Sequence, residues 1–143
     1  MIKVTKVTEN WQLAGVYYVR TEGMCKGFNI PLNVEFSDDG EHRDYSVLTV
    51  DGFPVGTCRI NLLSEKLAKI ERVCILETHR GQSLGKKLIE ETEKRLQVQG
   101  ITKIEIHSRD KAVGFYEKLG YTADFNRVEQ GFFPEVYMEK ELN

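Results

Sequence analysis

The sequence has little of what would mark a membrane or secreted protein. No apolar run approaches the roughly 20 residues that a membrane-spanning helix needs, and the opening stretch MIKVTKVTENW lacks the apolar segment of a signal peptide. Only three cysteines are present, Cys25, Cys58 and Cys74, and their odd number and wide spacing do not suggest a disulfide framework. We therefore expect a protein of the reducing cytoplasm with no membrane partner.

The chain also lacks a surplus of positive charge. Its 20 lysines and arginines face 22 acidic residues, which gives a net charge of −2 and a pI near 6.0. A protein that follows a phosphate backbone needs a cationic excess, so nucleic acid is not expected as the main partner. The histidines His42, His79 and His107 show no metal-ligand spacing, and we predict no metal site.

No proline-rich or Gly/Ser-rich linker divides the 143 residues. We therefore predict one domain over residues 1–143, and the apolar share of 41% is enough for a core of ordinary size. The oligomeric state is left open, with a homodimer as the candidate assembly.

The hydrophobic pattern predicts the element order β-α-ββ-β-α-β-α-β-β. YSVLTV-DG-FPVGTCRINL is a hairpin signal around an Asp-Gly turn. After the strand at 67–76, Leu84, Leu88, Thr92 and Leu96 recur every four residues, which predicts an amphipathic helix that Gly100 closes. A strand–helix–strand unit over 69–107 implies a parallel pair. We expect an α/β (α+β) fold with a mixed, mostly antiparallel sheet flanked by helices.

A basic, glycine-spaced turn precedes that helix, in the stretch HRGQSLGKKLIEETEKRL from residue 79 to 96. A helix N-terminus offers unpaired N–H groups to an anion, and Arg80, Lys86 and Lys87 add charge. Gly81 and Gly85 enclose three residues where a Walker loop needs four, and the three glycines of a dinucleotide fingerprint are not present. From the turn alone, an anion site and a purely structural turn are about equally supported.

Two segments resemble motifs of the GNAT acetyltransferase superfamily. RVCILETHRGQSLGKKLIE resembles its acyl-CoA-binding segment, a hydrophobic strand and short loop followed by R-G-x-G-x-G, and AVGFYEKLGYTADF resembles its later F-Y-E-K-L-G-[FY] motif. Ser83 replaces the middle glycine, and we expect its hydroxyl to cap the helix. The stretch VYYVRTEGMCKGFNIP resembles the small bacterial YjcF/ElaA-like branch, with Gly27 and Phe28 in place of an acid–glutamine pair.

The resemblance implies acetyl-CoA as co-substrate, an amine acceptor and direct transfer between them. It also implies that the strands at 67–76 and 101–107 splay apart, so that the pantetheine arm pairs with the first, and that an N–H of Cys74 or Ile75 stabilises the oxyanion. Tyr116 matches the tyrosine that protonates the departing thiolate. The residues expected to bind the co-substrate are Val73, Cys74, Ile75, Arg80, Gly81, Gln82, Ser83, Leu84, Gly85 and Lys86.

Several assignments stay open at this point. Glu71 is the candidate general base, against a solvated strand glutamate, and His107 is a weaker candidate. Cys74 could instead form an acyl-enzyme, although no Cys-His pattern supports it. A non-catalytic acyl-CoA sensor and an interaction domain remain alternatives to an enzyme.

The segment from Arg20 to Asp44 is rich in acids and predicts either a solvated loop or an acidic lip that attracts a cationic amine. Its acidic residues are Glu22, Glu35, Asp38, Asp39, Glu41 and Asp44.

Overall fold

The computed structural model describes residues 1–41, 44–131 and 133–143; His42, Arg43 and Phe132 lie outside the described residues. Within the described part, seven strands form one sheet. They are β1 (Ile2–Lys6), β2 (Asp44–Val50), β3 (Phe53–Leu62), β4 (Leu67–Ile75), β5 (Lys103–Arg109), β6 (Thr122–Gln130) and β7 (Pro134–Glu141).

Within the same described residues, four α-helices connect or cover these strands. They are α1 (Asn10–Arg20), α2 (Leu32–Glu35), α3 (Leu84–Val98) and α4 (Val113–Lys118). A π-helical turn, Thr21–Lys26, continues α1, and short 3-10 turns lie at Asp39–Glu41, Glu77–His79 and Asp110–Ala112. Among the described helices, none combines the length and apolar character that crossing a bilayer requires.

The sheet order is β1-β2-β3-β4-β5-β7-β6, and every neighbouring pair except β4 and β5 is antiparallel. The predicted mixed sheet with one parallel pair is therefore confirmed. The Asp-Gly hairpin is confirmed as well: Asp51 and Gly52 both have positive φ, at 51° and 84°, as the twist of a two-residue hairpin favours.

Helix α3 covers one face of the sheet. Leu84, Leu88, Thr92 and Leu96 are all buried, as their spacing predicts, and three of them join the main apolar core. The chain leaves the helix through Gly100, which has a φ of 98°. Glycine adopts this conformation at little energetic cost because it has no Cβ.

Helix α1 packs on the opposite face, and its contact with the sheet depends on two small residues. A Cβ on Gly15 would overlap Pro54, and one on Gly23 in the following turn would overlap the sulfur of Cys74. The buried face of α1 includes Val16, Val19 and Arg20, whereas Trp11 and Tyr18 are largely exposed. Close packing of this helix against β3 and β4 brings the turn after it to the carboxyl end of β4.

Candidate active site

The central feature of the molecule is a cleft where β4 and β5 separate. Their parallel pairing joins 67–69 to 103–105 and goes no further. Beyond it, β4 bends at a bulge: Thr57 pairs with Cys74 and Arg59 with Glu71, so that Arg72 and Val73 together oppose one residue of β3. Arg72 has a φ of 53°, which a non-glycine residue rarely adopts. The predicted splaying of the two strands is confirmed.

The cleft opens into a cavity of about 370 Å³. The bent part of β4 forms one wall and the end of β5 forms the other, while Phe115 and Tyr116 of α4 line it as well. Met24 and Phe28, from the connection between α1 and α2, and Phe133, from the connection between β6 and β7, reach it as well. The predicted residues Glu71, Val73, Cys74 and Ile75 all line this cavity.

The backbone of β4 offers hydrogen-bonding groups to the cleft. The N–H of Leu76 donates to the carbonyl of Val55 at 2.8 Å, and Ile75 is opposite Gly56. In an antiparallel ladder the next residue points its N–H and C=O the other way, so the amide of Ile75 faces away from β3. Its carbonyl accepts a hydrogen bond from Nε of Arg80 at 3.1 Å. Of the two predicted oxyanion donors, Ile75 is therefore the one directed toward the cleft.

The basic turn lies at the mouth of the cleft. After the 3-10 turn at Glu77–His79, Gly81 and Ser83 take φ values of 79° and 60°, and α3 begins at Leu84. The expected cap from the Ser83 hydroxyl is wrong, because no side-chain hydrogen bond caps this helix. Ser83 contributes to the turn through its left-handed backbone conformation instead.

A second cavity of about 420 Å³ lies over this turn. Arg80, Gly81, Ser83, Leu84, Gly85 and Lys86 line it, whereas Gln82 is exposed and lines neither cavity. The two cavities share Ile75, Arg80 and Phe115, so they adjoin one another. A Cβ on Gly85 would lie 3.1 Å from the Phe115 ring, which shows how closely α3 approaches α4 here.

Tyr116 lies in the apolar wall of the first cavity. It is 6% exposed, and its ring packs edge-on against Phe115 and Tyr121. Burial raises the pKa of its phenol far above the ordinary value, and the nearby charge of Arg109 offsets this only in part. Its hydroxyl forms no hydrogen bond to the described residues, so the proton remains available to a molecule in the cavity.

Glu71 is not a solvated strand residue. Its side chain is 13% exposed, and its Oε2 accepts hydrogen bonds from Nε of Arg59 at 3.0 Å and from Nη2 of the same guanidinium. Nζ of Lys69 lies 3.9 Å from the other oxygen. The carboxylate thus lines the cavity while being held by a buried arginine.

The acidic segment is neither a solvated loop nor an open acidic lip. Arg20, fully buried, pairs with Glu35 and Asp39, and Arg59 pairs with Asp38 and Asp39. The hydroxyl of Tyr45 also donates to Asp39 at 2.8 Å. Glu22 pairs with Lys26 and Asp44 with Arg95. Every acid of the segment whose side chain is described is therefore paired; the side chain of Glu41 lies outside the described part.

The two alternative residues differ in what the structure allows them to do. His107 lines the cavity, and its Nε2 lies 2.9 Å from Oε2 of Glu105 on the same strand. Cys74 is 5% exposed, its sulfur lies 3.7 Å from the carbonyl oxygen of Val19, and burial raises the pKa of its thiol to about 11. Because a nucleophilic cysteine needs its thiolate, this environment disfavours an acyl-enzyme on Cys74. No group of three or more metal-ligating side chains is assembled among the described residues.

Sequence reasoning did not predict a cluster of side chains at this cavity in which Arg109 contacts two aromatic rings. The guanidinium of Arg109 lies 4.7 Å from the ring centre of Phe28 and 5.5 Å from that of Phe133, and the two rings meet edge to face at 5.1 Å. Arg109 ends β5, a position that a search at strand ends would have found. The sequence marks Phe28 only as a departure from the YjcF/ElaA-like branch, and Phe133 carries no signal, because their contact depends on two remote segments meeting.

Comparison with known proteins gives a consistent result. The acetyltransferase (GNAT) domain family matches residues 32–142. A provisionally named acetyltransferase of Bacillus subtilis (strain 168) is 31% identical over 143 residues, which covers 98% of this chain and 97% of that protein. The uncharacterized N-acetyltransferase YjcF of the same organism is 32% identical over 111 residues, with coverage of 77% and 78%.

Solved structures share the fold. A provisionally named N-acetyltransferase from Lactobacillus plantarum superposes with a TM-score of 0.91 at 27% identity over 99% of both chains. ElaA of Escherichia coli gives 0.84 at 18% identity, covering 99% of this chain and 100% of its own. An aminoglycoside 6'-N-acetyltransferase complexed with coenzyme A gives 0.76 at 13% identity, with coverage of 99% and 96%.

Proposed function

Because the chain belongs to the GNAT acetyltransferase family, we propose that it transfers an acetyl group from acetyl-CoA to a primary amine by direct attack in a ternary complex. The observation that carries this proposal is a pair of adjoining cavities, which extend from the basic turn at 79–86 to the cleft between β4 and β5. One end suits a diphosphate and the other suits a thioester beside an amine. The three cysteines are free thiols, which agrees with a cytoplasmic site of action.

The turn supplies the groups that a diphosphate needs. Unpaired N–H groups at the start of the 15-residue helix α3 and the positive end of its dipole favour an anion. Arg80 and Lys86 line the same cavity and add positive charge. Residues Val73 to Ile75 then present the edge of β4 to the pantetheine arm, in the manner of an added strand. The solved neighbour complexed with coenzyme A has the same fold, which supports this placement.

The reaction needs one bond formed, one broken and two protons moved. The neutral amine attacks the thioester carbonyl, the negative charge on oxygen is stabilised by the N–H of Ile75, and the C–S bond then breaks. Tyr116 donates its proton to the departing sulfur, a role for which a phenol that stays protonated is suited. Holding amine and thioester side by side in the cavity provides much of the acceleration by proximity.

A base must accept the proton that the amine loses. Glu71 lines the cavity on the acceptor side, and we propose it as the base, acting through water. Its Oε2 is occupied by Arg59, so the proton reaches the other carboxylate oxygen. His107 is the second candidate, because its ring lines the same cavity and Glu105 fixes its orientation.

The test combines turnover with co-substrate binding. Incubation with acetyl-CoA and a panel of primary amines, followed by detection of free thiol, should show amine-dependent release of CoA. Binding of CoA without thiol release for any amine would instead support a non-catalytic acyl-CoA sensor. A calorimetric titration with CoA that shows no heat would leave only an interaction domain.

Gly85→Glu tests the position of the diphosphate. The substitution places bulk and negative charge in the cavity over the turn, and we expect the affinity for acetyl-CoA to fall at least about tenfold. Gly114→Glu is the matched control, because Gly114 is an exposed position of helix α4 with no atom within 4 Å of its added Cβ. Equal affinity of the two variants, both folded by circular dichroism, would contradict the proposed site.

A further inference from the structure

The charged groups of the cavity between β4 and β5 are not evenly paired. Glu71 is held by Arg59, and His107 is in contact with Glu105. Arg80 donates a hydrogen bond to the carbonyl of Ile75 and belongs to the basic turn, where the co-substrate is proposed to bind. These contacts leave two arginines, Arg72 and Arg109, as the charges of the cavity whose partners are missing or distant.

Arg72 is held in place by the backbone rather than by a counterion. It lies at the bulge of β4 with a positive φ, and its Nε is shielded from solvent without any hydrogen-bond partner. Its guanidinium approaches Asp38 only to 4.0 Å, and Asp38 is already bonded to Arg59. The side chain is 32% exposed and lines the cavity, so its terminal N–H groups, rather than the shielded Nε, are available to an oxyanion.

Arg109 faces the same cavity from β5. The rings of Phe28 and Phe133 fix its guanidinium by contact with their faces. None of the acids in the described part of the chain forms an ion pair with it. Since stacking leaves the edge of a guanidinium open, its N–H groups remain available to an oxyanion.

Among the described residues, no acid forms a hydrogen bond with either of these two arginines, and the nearest contact is the 4.0 Å approach of Asp38 to Arg72. The carboxylates Glu35, Asp38 and Asp39, which the sequence suggested as an attraction for a cationic amine, are turned onto Arg20 and Arg59. The surroundings of the acceptor are therefore positive rather than negative, and a polycationic amine is disfavoured there.

We propose that the acceptor is a small amine that carries a carboxylate or a phosphate group, and that Arg72 and Arg109 bind this oxyanion. The inference rests on the proposed acetyl transfer and adds the substrate class to it. The two arginines belong to the two diverging strands, so an anion between them places the rest of the molecule in the cleft, on the side of Glu71 and His107. A cavity of about 370 Å³ limits the acceptor to a small molecule or the end of a chain.

Matched amines test the proposal. β-Alanine is compared with propylamine, and phosphoethanolamine with ethanolamine, at saturating acetyl-CoA with thiol release as readout. Because a charge-assisted hydrogen bond contributes about 1.5–3 kcal/mol, we expect kcat/KM to be roughly 10- to 100-fold higher for the anionic member of at least one pair. The pair that shows the larger ratio distinguishes a carboxylate from a phosphate.

Variants assign that preference to the two arginines. Arg109→Gln and, separately, Arg72→Gln should reduce the ratio within the favoured pair about tenfold or more, through KM for the anionic amine, while the affinity for CoA stays unchanged. Arg127→Gln is the matched control, because Arg127 lines a different cavity and stacks on Tyr137. Having two independent variants keeps the test decisive if one of them fails to fold.

The outcomes separate this inference from the function on which it rests. Equal use of anionic and neutral amines, or use of neutral amines alone, overturns the anionic acceptor and leaves acetyl transfer standing. If CoA binds but no amine in the panel reacts, calorimetry of phosphoethanolamine and β-alanine with the CoA complex decides, and absence of binding overturns the inference. Failure to bind CoA overturns both.

Discussion

The hydroxyl of Tyr116 lies in a wall of aromatic side chains with no hydrogen-bonding partner in the described part of the protein. Its burial keeps the phenol protonated well beyond neutral pH, because desolvation raises the pKa of this group. A residue buried in this way is ordinarily part of the core, and Tyr116 is part of it. What distinguishes it is that the same side chain also lines the cavity where the thioester is proposed to lie.

Tyr116→Phe separates these two roles. The substitution keeps the ring and removes only the hydroxyl, so we expect kcat to fall about 100-fold, the scale of lost general-acid catalysis, with little change in the free energy of unfolding. The dissociation constant of acetyl-CoA should stay the same. Steady-state kinetics and calorimetry measure the two effects.

Tyr18→Phe is the control for removal of a tyrosine hydroxyl at an exposed position. If Tyr116→Phe unfolds the protein or weakens acetyl-CoA binding to the extent that it slows turnover, the tyrosine acts through packing and the proposed proton transfer is wrong.

At this scale the sequence predicted some residues and missed others for a physical reason. Residues proposed to bind through the local backbone, such as Gly81 and Gly85, carry their signal in the adjacent sequence. Glu71 was predicted without its partner, because Arg59 opposes it across two strands whose register is shifted by a bulge. Arg109 became recognisable only when Phe28 and Phe133 were seen to meet on it.

Among the elements, the turn between β4 and α3 has the clearest strain. Ser83 has a φ of 60° in a position where the related motif has glycine, and its hydroxyl makes no capping bond in return. An L-residue in the left-handed region costs roughly 1–2 kcal/mol, and glycine avoids that cost.

Ser83→Gly should therefore increase the free energy of unfolding, by about 0.5–1 kcal/mol after the greater chain entropy of glycine is subtracted. Urea denaturation measures the change. Ser37→Gly is the matched control, because Ser37 does not have a positive φ and its hydroxyl donates to Val34 at 3.1 Å; this variant should lose stability. A loss of stability in both variants would show that the strain at Ser83 is not significant.

Helices and strands with regular patterns were predicted well, because their spacing follows from how side chains face a core. Helix α3 begins and ends close to where its apolar stripe and Gly100 place it. Helix α1 was predicted with less information about its surroundings. A hydrophobic pattern does not indicate that Arg20 points inward, since burial of a guanidinium is stable only when its counterions arrive from another segment.

On the scale of the whole molecule, one buried ionic network joins six segments. Arg20 of α1 and Arg59 of β3 share Asp39, which also accepts from Tyr45 of β2, and the network extends through Glu35 of α2 and through Glu71 of β4. Burial by itself raises the pKa of Asp39, but hydrogen bonds from Arg20 and Tyr45 outweigh it and hold the pKa below its usual range.

Asp39→Ala should destabilise the protein by about 3–5 kcal/mol, because it leaves two buried guanidinium groups with fewer counterions. The lowered pKa of the native carboxylate means that its contribution is present above about pH 4 and is lost as the pH falls through the folded-state value. The difference in unfolding free energy between wild type and variant should therefore shrink as the pH falls below about 4.

Glu90→Ala, at an exposed position on α3, controls for the loss of a surface carboxylate and should change stability by less than about 0.5 kcal/mol. A pH-independent difference between wild type and Asp39→Ala would show that the carboxylate acts through packing rather than through its charge.

The two adjoining cavities differ in how their lining residues are distributed along the chain. The stretch proposed to recognise the donor is nearly continuous, from 73 to 86, whereas the wall proposed to lie beside the acceptor is assembled from residues 24, 28, 72, 109 and 133. Substitutions at Phe28 or Phe133 can therefore reshape the cavity between β4 and β5 while the cavity over the basic turn stays unchanged. A protein built in this way can change its amine acceptor without any change in the residues proposed to bind the thioester.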